Sequence, residues 1–281
     1  MENSILKANQ WSEEVWSRAV QSWEERNQDH NYRDIVARPG IFKALKSIKK
    51  IKNGKFLDIG CGEGVETFYI RDKLSQIGNS GVMYGYDPES EFISIAKTTN
   101  NSQASIPITF GNNSIDQFLQ RYNLQNEIDI VTSIFVLQDV ADIQKYLEDI
   151  NKVLNHEGVG IFLLVHPLFG ESMKNKNVLR INRTLNSLNT DKSWRFAGEY
   201  PIVEENGKTF FVPYFHRTIE DYKKYFSKYF KKIDFIELKP TKDKIKLCGK
   251  EHKSPFYNHI GNVYYPEIIK MKSSLIIIAK K

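Results

Sequence analysis

Apolar and polar positions along this chain repeat with two periods, and the switches between them lay out strands separated by helices. Residues 9–27 set Trp11, Val15, Trp16, Ala19 and Trp23 on one face at helical spacing. Three tryptophans in one stripe predict a helix whose apolar face packs on the rest of the protein, either as plain support or as a lid. A polar stretch around Asp29–Arg33 follows, then a helix around Pro39–Lys50. The run Phe56–Ile59 predicts a first strand, Val65–Ile77 a helix with Phe68, Leu74 and Ile77 inward, and Val82–Tyr86 a second strand. Asp87-Pro88 matches a helix start, with proline in the first turn where its missing donor costs nothing. Ile106–Phe110 predicts a third strand, and Ser114 with Gln117 a capped helix behind it. Ile128–Phe135 is a fourth strand, and Ile143–Leu154 carries the cleanest helical stripe in the chain. Val159–Val165 is a fifth strand, apolar throughout, as expected when helices cover both faces.

Strand and helix in alternation predict an α/β fold built on an open, doubly wound, mostly parallel sheet with right-handed crossovers. Residues 168–217 break the alternation. Gly170–Asn189 reads as a weakly amphipathic helix, and two short strands are expected around the turn Glu204–Lys208. This aromatic-rich insertion could roof a substrate pocket, cover a sheet edge or form a dimer face, so a homodimer is one expectation. Thr218 with Asp221 caps a further helix, Ile233–Leu238 is a sixth strand, residues 239–263 read as basic and irregular, and Ser274–Ile278 is a last strand. One domain over 1–281 is expected, with 1–50 as an N-terminal helical lid segment and 168–217 as a substrate-side insertion.

Composition narrows this reading only a little. Of 281 residues 41% are hydrophobic, enough for a substantial core. Forty Lys and Arg against 34 Asp and Glu give a formal charge of +6, which is mild at this length. The excess gathers in 49–55, 223–232 and 239–253, where solvated helix faces explain it more simply than nucleic acid does. Cys61 and Cys248 are the only cysteines, so there is neither a disulfide framework nor a paired zinc motif, and no metal site is expected. The first residues lack a basic segment followed by an apolar signal core, and Leu275–Ala279 is far too short to cross a bilayer. A soluble cytoplasmic protein without a membrane partner is the expectation.

The first strand ends in Asp58-Ile59-Gly60-Cys61-Gly62-Glu63-Gly64. Glycines let the backbone turn sharply and approach a ligand closely. Asp87, directly after the second strand, can accept hydrogen bonds from two ribose hydroxyls. Together they describe a site for a nucleoside-containing cofactor at the carboxyl ends of the strands.

Leu57–Gly64, Tyr86-Asp87-Pro88, Phe110-Gly111-Asn112 and the fourth strand with its exit loop, Asp129–Val140, resemble class I S-adenosylmethionine-dependent methyltransferases. Leu164-Val165-His166-Pro167 and His216-Arg217-Thr218 resemble the bacterial small-molecule members. The resemblance implies a Rossmann-like, seven-stranded sheet with helices on both faces and the last strand antiparallel. It implies S-adenosyl-L-methionine as cofactor and a small-molecule methyl acceptor. Gly60, Cys61 and Gly62 would give room and backbone donors to the methionine portion, with Asp58 ordering the loop. Asp87 and Pro88 would hold the ribose, and Asn112 or Asn113 would face adenine where the family usually has Asp. Ile134 and Phe135 would line the methyl-transfer side, and Tyr32 and Arg38 would reach the cofactor carboxylate if the N-terminal segment closes down. The exit pair, often two histidines in the family, is here Gln138-Asp139.

A hydroxyl acceptor would need a base, and histidine suits that role. His166, at the end of the fifth strand, is the first candidate, His216 the second and His30 the third. The Asn/Asp-Pro-Pro-Tyr/Phe motif of base- and glutamine-methylating enzymes is missing after the fourth strand, and no Pro-Cys nucleophile occurs. The alternatives are an RNA or protein methyltransferase and a catalytically idle partner subunit.

Overall fold

The first predicted strand forms β1 (Gly54–Ile59), paired in parallel with β2 (Gly81–Tyr86) on one side and β4 (Ile128–Ile134) on the other. Beyond β2 lies β3 (Ile108–Gly111), and beyond β4 lies β5 (Leu154–Val165), both parallel to their neighbours. The computed structural model describes residues 2–24, 33–100, 104–175, 179–190, 192–203, 209–239 and 272–281. Its sheet is completed by β10 (Ser274–Lys280), antiparallel both to β5 and to the edge strand β9 (Lys232–Leu238). The order is therefore β3-β2-β1-β4-β5-β10-β9. The expected seven-stranded, mostly parallel sheet is present, with the last strand reversed.

Helices cover both faces. On one, α6 (Ile143–Val153) and α9 (Ile219–Phe226) bring Leu147, Ile150, Tyr222 and Phe226 onto Leu57, Val131, Phe162 and Ile277. On the other, α2 (Arg38–Lys46) and α3 (Val65–Gln76) set Ile41, Leu45, Ile70 and Leu74 against Phe56, Ile130, Ile161 and Ile276. Each fully buried aliphatic side chain contributes about 1.5–3 kcal/mol, so the two cores together fix the strand register. The helices α4 (Ser90–Thr99) and α5 (Ile115–Arg121) flank β2 and β3 in the chain; Ser114 accepts from the Gln117 amide as expected, and Thr218 with Asp221 forms a complete capping box on α9.

Several boundaries differ from the pattern-based reading. The N-terminal helix is α1 (Glu2–Glu24), seven residues earlier in onset than the tryptophan stripe suggests, because Ser4 and Ala8 extend the buried face. A π-helical turn, Arg33–Ala37, leads into α2. β5 begins at Leu154, five residues before the expected Val159, and its register against β4 shifts between Ile128 and Ile130. The single helix expected over Gly170–Asn189 is two, α7 (Pro167–Asn175) and α8 (Arg183–Leu188), with β6 (Arg180–Ile181) between them. β6 pairs with β7 (Phe196–Val203), and β7 with β8 (Thr209–His216), in a separate antiparallel sheet ordered β6-β7-β8. The expectations for residues 240–263, Tyr32 and His30 lie outside the described residues. No helix among the described residues is long and apolar enough to cross a membrane.

Candidate active site

Strand order reverses between β1 and β4, and at such a switch point the loops leaving the two strands part to form a crevice. On one side is the glycine loop. Gly60, Gly62 and Gly64 have φ of +74°, +52° and +85°, a region that side chains disfavour. Gly60 is also too close to Val136 to carry a Cβ, whereas a Cβ on Gly62 would meet nothing within 4 Å. The backbone at Gly62 therefore faces open space, the shape of a cradle for a ligand.

Asp87 builds that cradle. The Gly60 and Cys61 amides donate to the Tyr86 carbonyl at 2.8 and 3.0 Å, and the Gly62 amide donates to Asp87 Oδ2 at 2.8 Å. Asp87 Oδ1 accepts from the Glu89 amide at 3.0 Å. Each carboxylate oxygen thus holds one backbone donor and keeps capacity for a hydroxyl. The helix-start expectation is corrected here. α4 begins at Ser90, one residue beyond Glu89, so Pro88 precedes the first turn and Asp87 caps through an Asx-type bond two residues on. Burial pushes Asp87 up to about 6, against the pull of the two amides.

Asp58 lies behind the loop. Its oxygens accept from Thr67 Oγ1 on α3 at 2.6 Å and from Thr132 Oγ1 on β4 at 2.7 Å. Three elements are tied through one buried carboxyl, pushed up to about 7 by burial. Cys61 is buried beside the loop, and burial raises its thiol. Asn112 and Asn113 follow β3, whose last residue accepts the Asp87 amide through the Gly111 carbonyl, with Asn112 half-buried and Asn113 exposed. Arg38 and Arg33 both meet Glu66 in the first turn of α3, Arg38 through Nε at 3.2 Å and Arg33 at 2.9 Å. Arg38 is therefore held beside Glu66, two residues past the glycine loop, with its charge already engaged.

Across the crevice, Ile134 ends β4 and Phe135 turns into the exit loop at φ +57°, a left-handed conformation that bulky residues avoid. Ser133 Oγ and the Tyr146 hydroxyl share a hydrogen bond of 2.8 Å beneath it. The Asp139 side chain has its Oδ1 buried without a hydrogen-bond partner. Pattern reading passes over both residues, since Tyr146 counts only as part of the α6 stripe and Asp139 only as loop.

The insertion and α1 meet at this edge. Ser12 donates to the Asp139 carbonyl at 3.1 Å and Ser17 to Glu89 Oε1 at 3.1 Å, so α1 spans from the β4 side to the β2 side. Trp11 meets Phe215 edge-on at 5.7 Å, and Trp16 meets Phe92 at 6.3 Å. The Phe215 amide donates to the Gln138 carbonyl at 2.6 Å. Arg217, fully buried, donates from Nε to the Ser193 carbonyl and from Nη2 to the Ala141 carbonyl, pinning the end of β8 to the exit loop.

The two histidines are correctly placed near strand ends but are committed elsewhere. His166 Nδ1 accepts from the Leu168 amide at 3.2 Å, which leaves Nε2 to donate to Glu237 Oε1 at 3.1 Å. Neither nitrogen is free for an acceptor, and the ring faces β9 rather than β1. Burial lowers its pKa, opposed by Glu237. The expected base role is set aside for that reason. His216 stacks on Phe196 at 4.4 Å and contacts the Tyr214 hydroxyl through Nδ1 at 3.2 Å. Burial, with Lys174 adding repulsion, pushes it down to about 4, too weak a base at neutral pH.

Residues 50–209 match the family described as a methyltransferase domain. No curated protein matches the chain. Among solved structures, the chain is similar to a putative S-adenosylmethionine-dependent methyltransferase of Listeria monocytogenes, at 18% identity and a TM-score of 0.54 over 86% of this chain and 98% of that one. It is also similar to a chain of the Haloferax volcanii complex between the Trm112 methyltransferase activator and a putative methyltransferase, at 12% identity and 0.56 over 96% and 95%. Phosphoethanolamine N-methyltransferase 2 of Haemonchus contortus matches at 14% and 0.51, over 87% of this chain and 52% of that one. At such identities these likenesses speak for the fold.

Proposed function

The chain belongs to the methyltransferase-domain family and uses S-adenosylmethionine, and from that premise we propose that its acceptor is a small molecule enclosed beneath α1 and the insertion. The observation that supports this reading is that α1 bridges the two sides of the crevice: Ser12, Ser17 and Trp11 contact the β4 side, the β2 side and the insertion at once. A polymer would need an open groove there. The basic run 223–232 belongs to α9 and the turn from it into β9, at the far edge of the sheet. There Lys228 bonds Gln144 and Lys223 lies over Phe235, away from β1.

The cradle at Gly62 and the spare acceptor capacity of Asp87 fit the cofactor's nucleoside. When bound, the cofactor supplies a methyl group on a sulfonium, whose departure as a neutral thioether needs little help. The work left to the protein is alignment and exclusion of water. Gly60–Gly64 would admit the methionine portion, Asp87 would orient the ribose, and Asn112 would lie beside the base. Phe135 and Ile134 would wall the transfer side, and α1 would keep water out as a lid.

Incubation of the protein and labelled S-adenosylmethionine with a cell extract, followed by size fractionation, tests the proposal. Label is expected below about 1 kDa, well under the mass of a folded domain. Label confined to RNA or protein would overturn it.

A further inference from the structure

The acid on the exit loop is left without a task by everything above. Asp139 follows β4, the strand next to β1, so it borders the crevice rather than the far edge. The adjacent Gln138 side chain hydrogen-bonds this carboxyl, yet among the described residues its Oδ1 is buried with no partner of its own, a costly state for a polar atom unless a ligand completes it. Its backbone is gripped from two sides. Ser12 of α1 holds its carbonyl, and Arg217 holds the Ala141 carbonyl two residues on, at 2.6 Å. The carboxyl is thus presented from a fixed loop at the meeting of lid, exit loop and insertion.

One hydroxyl ties this acid to the cofactor site. The Tyr146 hydroxyl, bonded to Ser133, feels the charges of Asp58, Asp87 and Asp139 together. Asp139 thus shares the neighbourhood of the two acids that build the cofactor cradle. Its other charged and titratable neighbours are Tyr214 on β8, Tyr222 on α9 and Arg217, all of which interact with one another. From α1 comes Ser12, with Glu13 beside it in the chain. The phenols are neutral near neutral pH. Arg217 spends Nε and Nη2 on backbone carbonyls and interacts with Tyr222; its buried Nη1 has no partner among the described residues, and it is not among the groups that shift Asp139. Aromatic side chains belong to the same junction, since Trp11 packs edge-on against Phe215 and the Phe215 backbone amide bonds the Gln138 carbonyl.

We infer that Asp139 is the acceptor-facing acid of this enzyme and that the acceptor is an amine with an apolar, aromatic-compatible body. The inference rests on the methyltransferase reading above. A carboxylate without an ion-pair partner is complemented by an ammonium, and the apolar junction of α1 and the insertion suits an apolar body. One N–H proton of the ammonium passes to Asp139 Oδ1. The freed nitrogen lone pair then forms the N–C bond while the C–S pair stays on sulfur. The product leaves as an N-methylammonium, and Asp139 returns its proton to water. Burial also holds Asp139 well above the usual carboxylate range, opposed by Gln138, which moves it toward the basicity such a step needs.

The test uses the full chain with S-adenosylhomocysteine and a matched pair of probes, phenethylamine and 2-phenylethanol, followed by ligand-observed NMR. The wild type should bind the amine at least about tenfold more tightly than the alcohol, and Asp139→Asn should abolish that preference. Equal binding of the pair, or binding of neither, overturns the proposal.

Thermal melts give a second readout. Burial lifts the folded value above the unfolded one, so the wild type keeps this group's share of stability below about pH 4 and loses it as pH rises. Asp139→Asn should therefore melt a few degrees above wild type at pH 8 and level with it at pH 4. A variant less stable than wild type at pH 8 would mark Asp139 as structural and overturn the proposal. Calorimetry with S-adenosylhomocysteine alone separates the two layers. Failure of the wild type to bind it would sink the methyltransferase reading itself, whereas intact binding without amine preference sinks only the role of Asp139.

Discussion

Replacing Gly62 by alanine separates the cost to folding from the cost to binding. Gly62 has φ +52°, and a Cβ there would touch nothing among the described residues within 4 Å. The folding penalty is then only that of a left-handed L residue, about 1–2 kcal/mol, or a drop in Tm of roughly 2–8 °C for a chain of this size. The binding penalty is a separate quantity. If the cofactor rests in the cradle, the new methyl group intrudes on it, and such overpacking costs about 1–3 kcal/mol, or roughly 5- to 150-fold in affinity. Gly78→Ala is the matched control. Gly78 has φ +81° at the far end of α3, and the group nearest its added Cβ is the flexible Lys50 ammonium. It should lose comparable stability and bind S-adenosylhomocysteine normally. Melting curves without ligand and titration calorimetry with it supply both numbers. Should Gly62→Ala lose stability like Gly78→Ala and still bind as tightly, the reasoning about the cradle is wrong.

Affinity for S-adenosylhomocysteine should rise with pH through about 6 and flatten above, because ribose hydroxyls favour the ionised form of Asp87, whose free value burial pushes up to about 6. Asp87→Asn should bind at least about tenfold more weakly and without that pH dependence; a wild-type affinity that is flat from pH 5 to 8 would refute the ribose role. His166→Ala should lower Tm by several degrees, since two buried hydrogen bonds at about 1–3 kcal/mol each are lost, while cofactor affinity stays within about twofold; normal melting with lost cofactor affinity would reverse that assignment. Trp11→Ala removes the edge-on contact with Phe215 and should loosen α1 by about 3 kcal/mol. Hydrogen exchange over residues 2–24 and the release rate of S-adenosylhomocysteine should then both increase, and faster exchange with unchanged release would argue against a lid.

The sheet was legible because its inner strands are buried on both faces. Val159–Val165 therefore appears as a continuous apolar run, and Phe56–Ile59 and Ile128–Ile134 as short apolar runs broken only by Asp58, Asp129, Thr132 and Ser133. The glycine loop and Asp87 were legible because turn geometry and a strand-terminal acid are local signals. What was hidden depends on partners far along the chain. Asp58 meets Thr132 across 74 residues, and His166 meets Glu237 across 71. No spacing rule connects those positions, so a histidine at a strand end reads as a base until its two bonds are seen. The insertion was misread as one helix because Gly170–Asn189 has helical spacing on average, while the short pairing of Arg180–Ile181 with Gly198–Glu199 interrupts it from outside. Asp139 appears in the sequence only as half of the exit pair Gln138-Asp139; the burial of its oxygen is what singles it out.

β10 has a consequence for how the molecule is made. It enters between β5 and β9 with Ser274 opposite Val165 on one side and Leu238 on the other. β9 is joined to the rest of the sheet only through that late-synthesised strand. Pairings so distant in sequence are slow to form, so the half that cradles the nucleoside can settle on a nascent chain while the opposite rim is still waiting for its central thread. During that interval β5 presents an open apolar edge, the place where a chaperone would be needed and where a destabilised variant would first associate with its copies.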